Sequence, residues 1–182
     1  MEYTDINKNL PDGQNMGGIK QVIHFGLWDD VSSWPSKPSN PATLEENAEL
    51  TGDITMKAGK RMFSMYITDD TGEFSIESVG EVDGKSYVLH LNLFHPGLQK
   101  KILGFINSIK NENLFFIVPD AEGQKYIMGD EYRPAIFNGS PEGNGTGKAT
   151  SDRKGMSCEF IFKTNNVYVY SGNIPLTEAA SA

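Results

Sequence analysis

A single cysteine, Cys158, in 182 residues excludes an intrachain disulfide, so nothing in the chain calls for an oxidising compartment. No apolar run reaches the roughly 18 residues that suggest a membrane-spanning helix. The start, MEYTDINKNL, has neither the basic residues nor the apolar run of a secretion signal, and no such signal is expected. Positive charge is scarce: 16 Lys and Arg stand against 24 Asp and Glu, for a formal net charge of −8. That balance disfavours nonspecific attachment to nucleic acid or to an anionic membrane. Lys148, Arg153 and Lys154 form a local exception and read as a solvated loop.

Signatures of chemistry are missing as well. Gly143-Asn144-Gly145-Thr146-Gly147-Lys148 superficially suggests phosphate binding. A phosphate loop, however, needs glycine where Glu142 stands, a hydroxyl where Ala149 stands, and a helix afterwards, whereas a strand pattern follows. His24, His90 and His95 show no close metal-ligand spacing; His90 falls within a strand, where it caps a sheet face or meets a partner. Asp69-Asp70 and Glu45-Glu46 are adjacent pairs, which point apart on a strand or solvate a turn. Ser64, Ser75 and Ser86 lack the glycines of a nucleophile elbow. Cys158 alternates with polar neighbours and reads as a small core residue. No catalytic, cofactor-binding or metal-binding residue is assigned, no cofactor is expected, and the expectation is a protein that is not an enzyme.

What is present is strand periodicity. Gly18–Phe25 reads as a first strand, Ile54 and Met56 alternate, and Phe63, Met65 and Ile67 recur at period two. After the Thr68–Gly72 turn, Phe74 and Ile76 share one face of the next strand. Asp83-Gly84 gives the strongest hairpin signal. The clearest strand follows it, with Tyr87, Leu89, Leu91 and Leu93 on one face and Ser86, Val88, His90 and Asn92 on the other. Such half-apolar alternation implies an antiparallel sheet covered on one side. Leu98, Ile102, Phe105, Ile106 and Ile109 form a helical stripe, predicting one amphipathic helix over about residues 97–110, with Lys110 suited to its negative end. The continuous apolar run Leu114–Val118 predicts a central strand. Gln124–Met128, Arg133–Phe137, Met156–Lys163 and Val167–Tyr170 complete about nine strands, the last two joined by an Asn165-Asn166 turn.

These elements define one β-rich domain over residues 18–172, preceded by a polar arm at 1–17 and followed by a flexible tail at 173–182. Within it, residues 28–48 stand out: Pro35, Pro38 and Pro41 exclude a central strand. Trp28 and Trp34 need cover there, from their own domain or from a neighbouring subunit. Residues 138–152, with Gly139, Gly143, Gly145 and Gly147, predict a flexible loop.

Gly17-Gly18-Ile19 enters a strand, and Gly72–Glu77 leads to Gly80-Glu81-Val82-Asp83-Gly84-Lys85-Ser86-Tyr87. A helix follows Pro96-Gly97, then Phe116–Gly129, and finally Gly145–Phe160. In this order of turns, covering roughly residues 17–172, the chain resembles the major tail tube proteins of tailed bacteriophages and prophages. The resemblance implies an antiparallel β-sandwich or barrel with one helix packed against it. It also implies a structural virion subunit that self-associates into stacked rings around a DNA conduit, assembled in the bacterial host cytoplasm with other virion proteins. Specific nucleic-acid binding and membrane partners are not expected. The alternative is a small-molecule or glycan-binding β-barrel or sandwich with a pocket built from Trp28, Trp34 and Tyr87.

Overall fold

The computed structural model describes residues 1–6, 15–139 and 144–180. The Pro11-Asp12-Gly13 turn and residues 140–143 of the glycine loop lie outside the described residues. The chain runs β1 (Val22–Leu27), a 3-10 turn (Trp28–Asp30), β2 (Val31–Ser33), α1 (Leu44–Ala48), β3 (Glu49–Leu50), β4 (Thr55–Met56), β5 (Phe63–Tyr66), β6 (Glu73–Val79) and β7 (Ser86–Pro96). It continues through α2 (Lys100–Ile109), β8 (Leu114–Pro119), β9 (Lys125–Met128), β10 (Ile136–Gly139), β11 (Gly155–Thr164) and β12 (Val169–Tyr170). The fold is mainly β, in three sheets ordered β3-β12-β9-β8-β1-β5, β10-β11-β7-β6 and β2-β4.

Alternation places the long strands where the pattern indicates. In β7, Leu89, Leu91 and Leu93 are buried; β11 pairs with it over its whole length and buries Cys158, Phe160 and Phe162 on the same side. In the six-stranded sheet β8 is central and buried throughout. Its even residues Leu114, Phe116 and Val118 join one apolar cluster with Ile23, Leu89, Leu91 and Phe160. Its odd residues Phe115 and Ile117 join a second cluster with Leu50, Met56, Ile127 and Tyr170. The first cluster is thus shared between the two larger sheets, and the Phe116 and Phe160 rings lie 4.6 Å apart between centroids. Helix α2 contributes buried Ile102 and Ile109 to the same cluster, with Phe105 against Phe25 at 5.0 Å.

The second cluster explains the proline-rich stretch. Trp34 packs edge-on against Phe115 at 5.2 Å, and the Trp28 indole donates to the Asp130 carbonyl at 2.6 Å. Trp34 therefore finds cover within its own chain, and the half-buried Trp28 finds a partner there for its indole N–H. The stretch also forms β2 and helix α1, so one helix becomes two. Thr43 caps α1, its hydroxyl accepting from the Glu46 N–H, while the Glu46 carboxylate accepts from the Ala42 N–H. The pair Glu45-Glu46 thus opens a helix, where acidic side chains suit the N-terminal dipole.

Two further expectations change. The sheets are antiparallel except for β12, which pairs in parallel with β3; the chain leaves the four-stranded sheet at Thr164 and crosses into the six-stranded one. The hairpin read at Asp83-Gly84 joins β6 to β7: the Gly84 N–H donates to the Glu81 carbonyl at 3.1 Å and Val79 pairs with Ser86, with Asp83 at φ +66° and Gly80 at φ +97° in the connection. Residues 173–180, expected to be loose, are tied down. The Met62 N–H donates to the Pro175 carbonyl, Gly59 and Lys60 exchange bonds with Ala179, and Ile174 packs on the second cluster. At the other end, the Glu2 N–H donates to the Ala42 carbonyl at 2.8 Å.

Candidate functional site

Pairing of β6, β7, β11 and β10 puts one set of side chains on the face turned away from the core. Glu73, Ser75 and Glu77 of β6 lie beside Val88, His90 and Asn92 of β7, which lie beside Ser157, Glu159, Ile161 and Lys163 of β11. These alternate with the buried leucines and phenylalanines, so strand geometry alone sets their direction. The face is largely polar, and its charged residues are Glu73, Glu77 and Glu159 with Lys163, besides His90.

His90 sits at its centre. Its Nδ1 is 2.8 Å from Glu159 Oε1 and its Nε2 is 3.2 Å from Glu77 Oε2, while the Asn138 amide donates to Glu159 Oε2 at 2.7 Å. One imidazole and its partners thereby tie together all four strands. The hydrogen bond from the imidazole to Glu159 raises the His90 pKa above its ordinary 6.5, against an opposing effect of partial burial, with Glu77 adding to the rise. The same bond, with that from Asn138, lowers the Glu159 pKa despite some desolvation.

These directions predict a pH dependence. The raised His90 pKa gives stability fully present below about pH 6.5 and lost as pH rises through the folded-state pKa. The lowered Glu159 pKa gives stability present above about pH 4.5 and lost as pH falls through its folded-state value. The brace therefore stabilises most between about pH 4.5 and 6.5. With Glu77 largely solvated, its whole contribution is about 1 kcal/mol. His90→Gln is expected to flatten urea-derived stability between pH 6 and 8; an unchanged slope would show that the imidazole stays neutral.

At one end of this face lies a cleft of about 750 Å³, lined by Glu73, Asn92, Phe94, Asn144, Arg153 and Ser157. Its far wall is the described part of the glycine loop, which is an anchored arch. The N–H groups of Lys148 and Ala149 donate to Asp152 Oδ2 at 2.7 Å each, and these bonds hold the Asp152 carboxyl below its usual range. Gly145 and Gly155 exchange two backbone bonds of 3.1 Å, and the Ser157 N–H donates to Asn144 Oδ1. A carboxylate thus occupies the amides that a phosphate would need.

The other chemistry-bearing residues stay apart. His24 Nδ1 meets Ser64 Oγ at 3.1 Å across β1 and β5, and its pKa is lowered, chiefly by desolvation. His95 Nδ1 donates to the Tyr66 carbonyl at 2.8 Å. The Cys158 thiol is buried and pushed up to about 12, which suits a core residue and not a nucleophile. Among the described residues no group of three or more His, Cys, Asp or Glu is placed to hold a metal. Among the described residues no helix is long and apolar enough to cross a membrane. The aromatic pocket of Trp28, Trp34 and Tyr87 does not form: Tyr87 packs on the first cluster and Trp34 on the second. The His90 brace was legible only as a histidine in a strand, because its partners lie 13 and 69 residues away.

No protein-family model, curated protein or solved structure significantly matches the chain.

Proposed function

We propose that the protein is a non-enzymatic structural subunit of a phage or prophage virion that self-assembles into tail-tube-like rings. The observation that carries this reading is the four-stranded sheet, which is open at both edges, β10 and β6. Seven-residue β6 contains no proline, and the edge strands expose Ile76 and Ile136. An uncovered edge of this length is a template for pairing with another chain. Joining β6 of one copy to β10 of the next extends the sheet, and repetition with a constant rotation closes a ring.

In such a ring the polar face bearing Glu73, Glu77 and Glu159 lines the conduit. Its acidity repels passing DNA and leaves it mobile. The two larger sheets, sharing one apolar cluster, serve as the layers of a β-sandwich, with α2 against it. No cofactor enters this role. The subunit works in the virion after assembly in the bacterial host cytoplasm, beside other virion proteins. The alternative, a small-molecule or glycan-binding module, draws its support from the polar cleft beside Asn92 and Asn144.

Size-exclusion chromatography with negative-stain microscopy over a wide concentration range tests the reading. Rings or tubes are expected at high concentration, and Ile76→Lys, which sets a charge on the open edge, is expected to abolish them while leaving the subunit folded. A folded monomer at every concentration overturns the reading.

A further inference from the structure

The six-stranded sheet also ends at β5, flanked at one end by the Met62 N–H bond to Pro175 and at the other by the His95 bond to the Tyr66 carbonyl, and beside it runs a groove of about 480 Å³ between β5 and α2. Its floor is aromatic and aliphatic: Phe25, Phe63, Met65, Ile102 and Phe105. Phe63 and Tyr66 remain 38% and 46% exposed, so α2 covers this end of the core only in part. The groove's charged walls are basic. The Arg61 guanidinium lies over the Phe63 ring at 4.5 Å, and Lys101 and His95 stand nearby. Among the described residues no carboxylate approaches Arg61 or Lys101 within 4 Å; the four ion pairs found use Lys37, Lys60 and His90. The Arg61 guanidinium donates, among these residues, only to the Met62 and Leu176 carbonyls, and in a chain of net charge −8 an aromatic groove with cations and no lining acid is an exception in both polarity and sign.

The same chain carries a segment of the complementary kind. Residues 1–6, Met-Glu-Tyr-Thr-Asp-Ile, are exposed throughout, with Tyr3 at 80% and Ile6 at 89%, and the bond from the Glu2 N–H to the Ala42 carbonyl is one that the exchange has to break. They pair two apolar side chains with two carboxylates, Glu2 and Asp5. Six extended residues span about 20 Å, enough to run along the roughly 13 Å of β5. We propose that the groove between β5 and α2 receives residues 1–6 of a second copy of this chain. An extended arm with three residues per turn sets Tyr3 and Ile6 on one face, and these fill the space between Phe63 and Phe105. Glu2 and Asp5 meet Arg61 and Lys101, giving the contact its direction and its salt dependence. This exchange uses a different sheet edge from the ring contact proposed above, and it occurs equally in a dimer.

Mixing two full-length single-substitution variants, Ile6→Cys and Gln99→Cys, tests it under mild oxidation. The native Cys158 is buried with a suppressed thiolate and stays silent. The expected result is a disulfide-linked pair in the mixture that neither variant gives alone. It should fall several-fold when the Gln99→Cys chain also carries Arg61→Glu and Lys101→Glu, and return when the Ile6→Cys chain carries Glu2→Lys and Asp5→Lys. If the groove variant fails to fold, the arm-side pair Glu2→Lys, Asp5→Lys alone should still weaken the cross-link. No mixed cross-link, or one indifferent to these charges, overturns the proposal. A chain bearing both cysteines that closes only on itself overturns it as well. Rings that form without the cross-link would show that this contact, and not the ring contact, is wrong.

Discussion

Phe116→Ala is expected to lower the unfolding free energy by about 3–5 kcal/mol, a large share of the roughly 5–15 kcal/mol typical of a folded domain. Phe116 is fully buried on the central strand β8, and its ring lies 4.6 Å from Phe160 of the four-stranded sheet and 6.4 Å from Phe25 of β1. Removing it opens a cavity between the two larger sheets, where neither can collapse inward without breaking its own pairing. The melting temperature should fall by on the order of 10 °C. Phe105→Ala, on the partly exposed face of α2, serves as the comparison and should cost clearly less. Equal losses for the two, measured by urea unfolding, would mean that the sheets do not share one core.

That prediction rests on a feature half visible in the chain. The unbroken apolar run Leu114–Val118 marks a central strand, and it is one. What covers its second face was visible only at Ile54 and Met56, because the rest of the cover comes from pieces without periodicity: Trp34 at the head of a proline-rich stretch, two-residue β3, and Ile174 beyond the last strand. Elements of two or three residues leave no pattern to read. Their positions follow from long-range bonds such as the Ile54 N–H to the Tyr170 hydroxyl, 116 residues away. Long strands tell the opposite story. β7 and β11 are visible by alternation, and their pairing turns that alternation into a polar face. Helix α1 left a sequence signal in Thr43 and Glu46, three residues apart, but its single turn carries no apolar stripe.

The face itself was legible only by composition. Alternation puts His90 and Asn92 on one side of β7, yet nothing local pairs His90 with Glu159 or Glu77; register does that, and register is set by the buried leucines opposite Phe160 and Phe162. Packing on the apolar side thus determines which polar groups meet on the other. The acidic character proposed to line the conduit is a consequence of the core, so core substitutions that shift register should also scramble the brace.

Gly26→Ala and Gly129→Ala are each expected to destabilise the protein, and only the first should be fully relieved by shrinking Phe115. Both glycines flank that ring. A Cβ on Gly26, directly across from Phe115 on β1, would fall 2.4 Å from its ring carbon Cε1. A Cβ on Gly129 would fall 2.6 Å from the Phe115 Cβ. Overpacking of this kind costs about 1–3 kcal/mol. Gly129 also holds φ +126°, which L side chains rarely adopt, so its substitution carries a backbone strain of about 1–3 kcal/mol in addition. Phe115→Leu removes the ring that meets Gly26, and Gly26→Ala should then cost less than about 1 kcal/mol. It leaves both the Phe115 Cβ contact and the φ at Gly129, so Gly129→Ala should keep most of its penalty. A double-mutant cycle from urea midpoints separates the two. Strong coupling to Phe115 is expected for Gly26 and weak coupling for Gly129, and equal coupling at both sites would contradict the view that one glycine makes room for a ring while the other also permits a turn of the backbone.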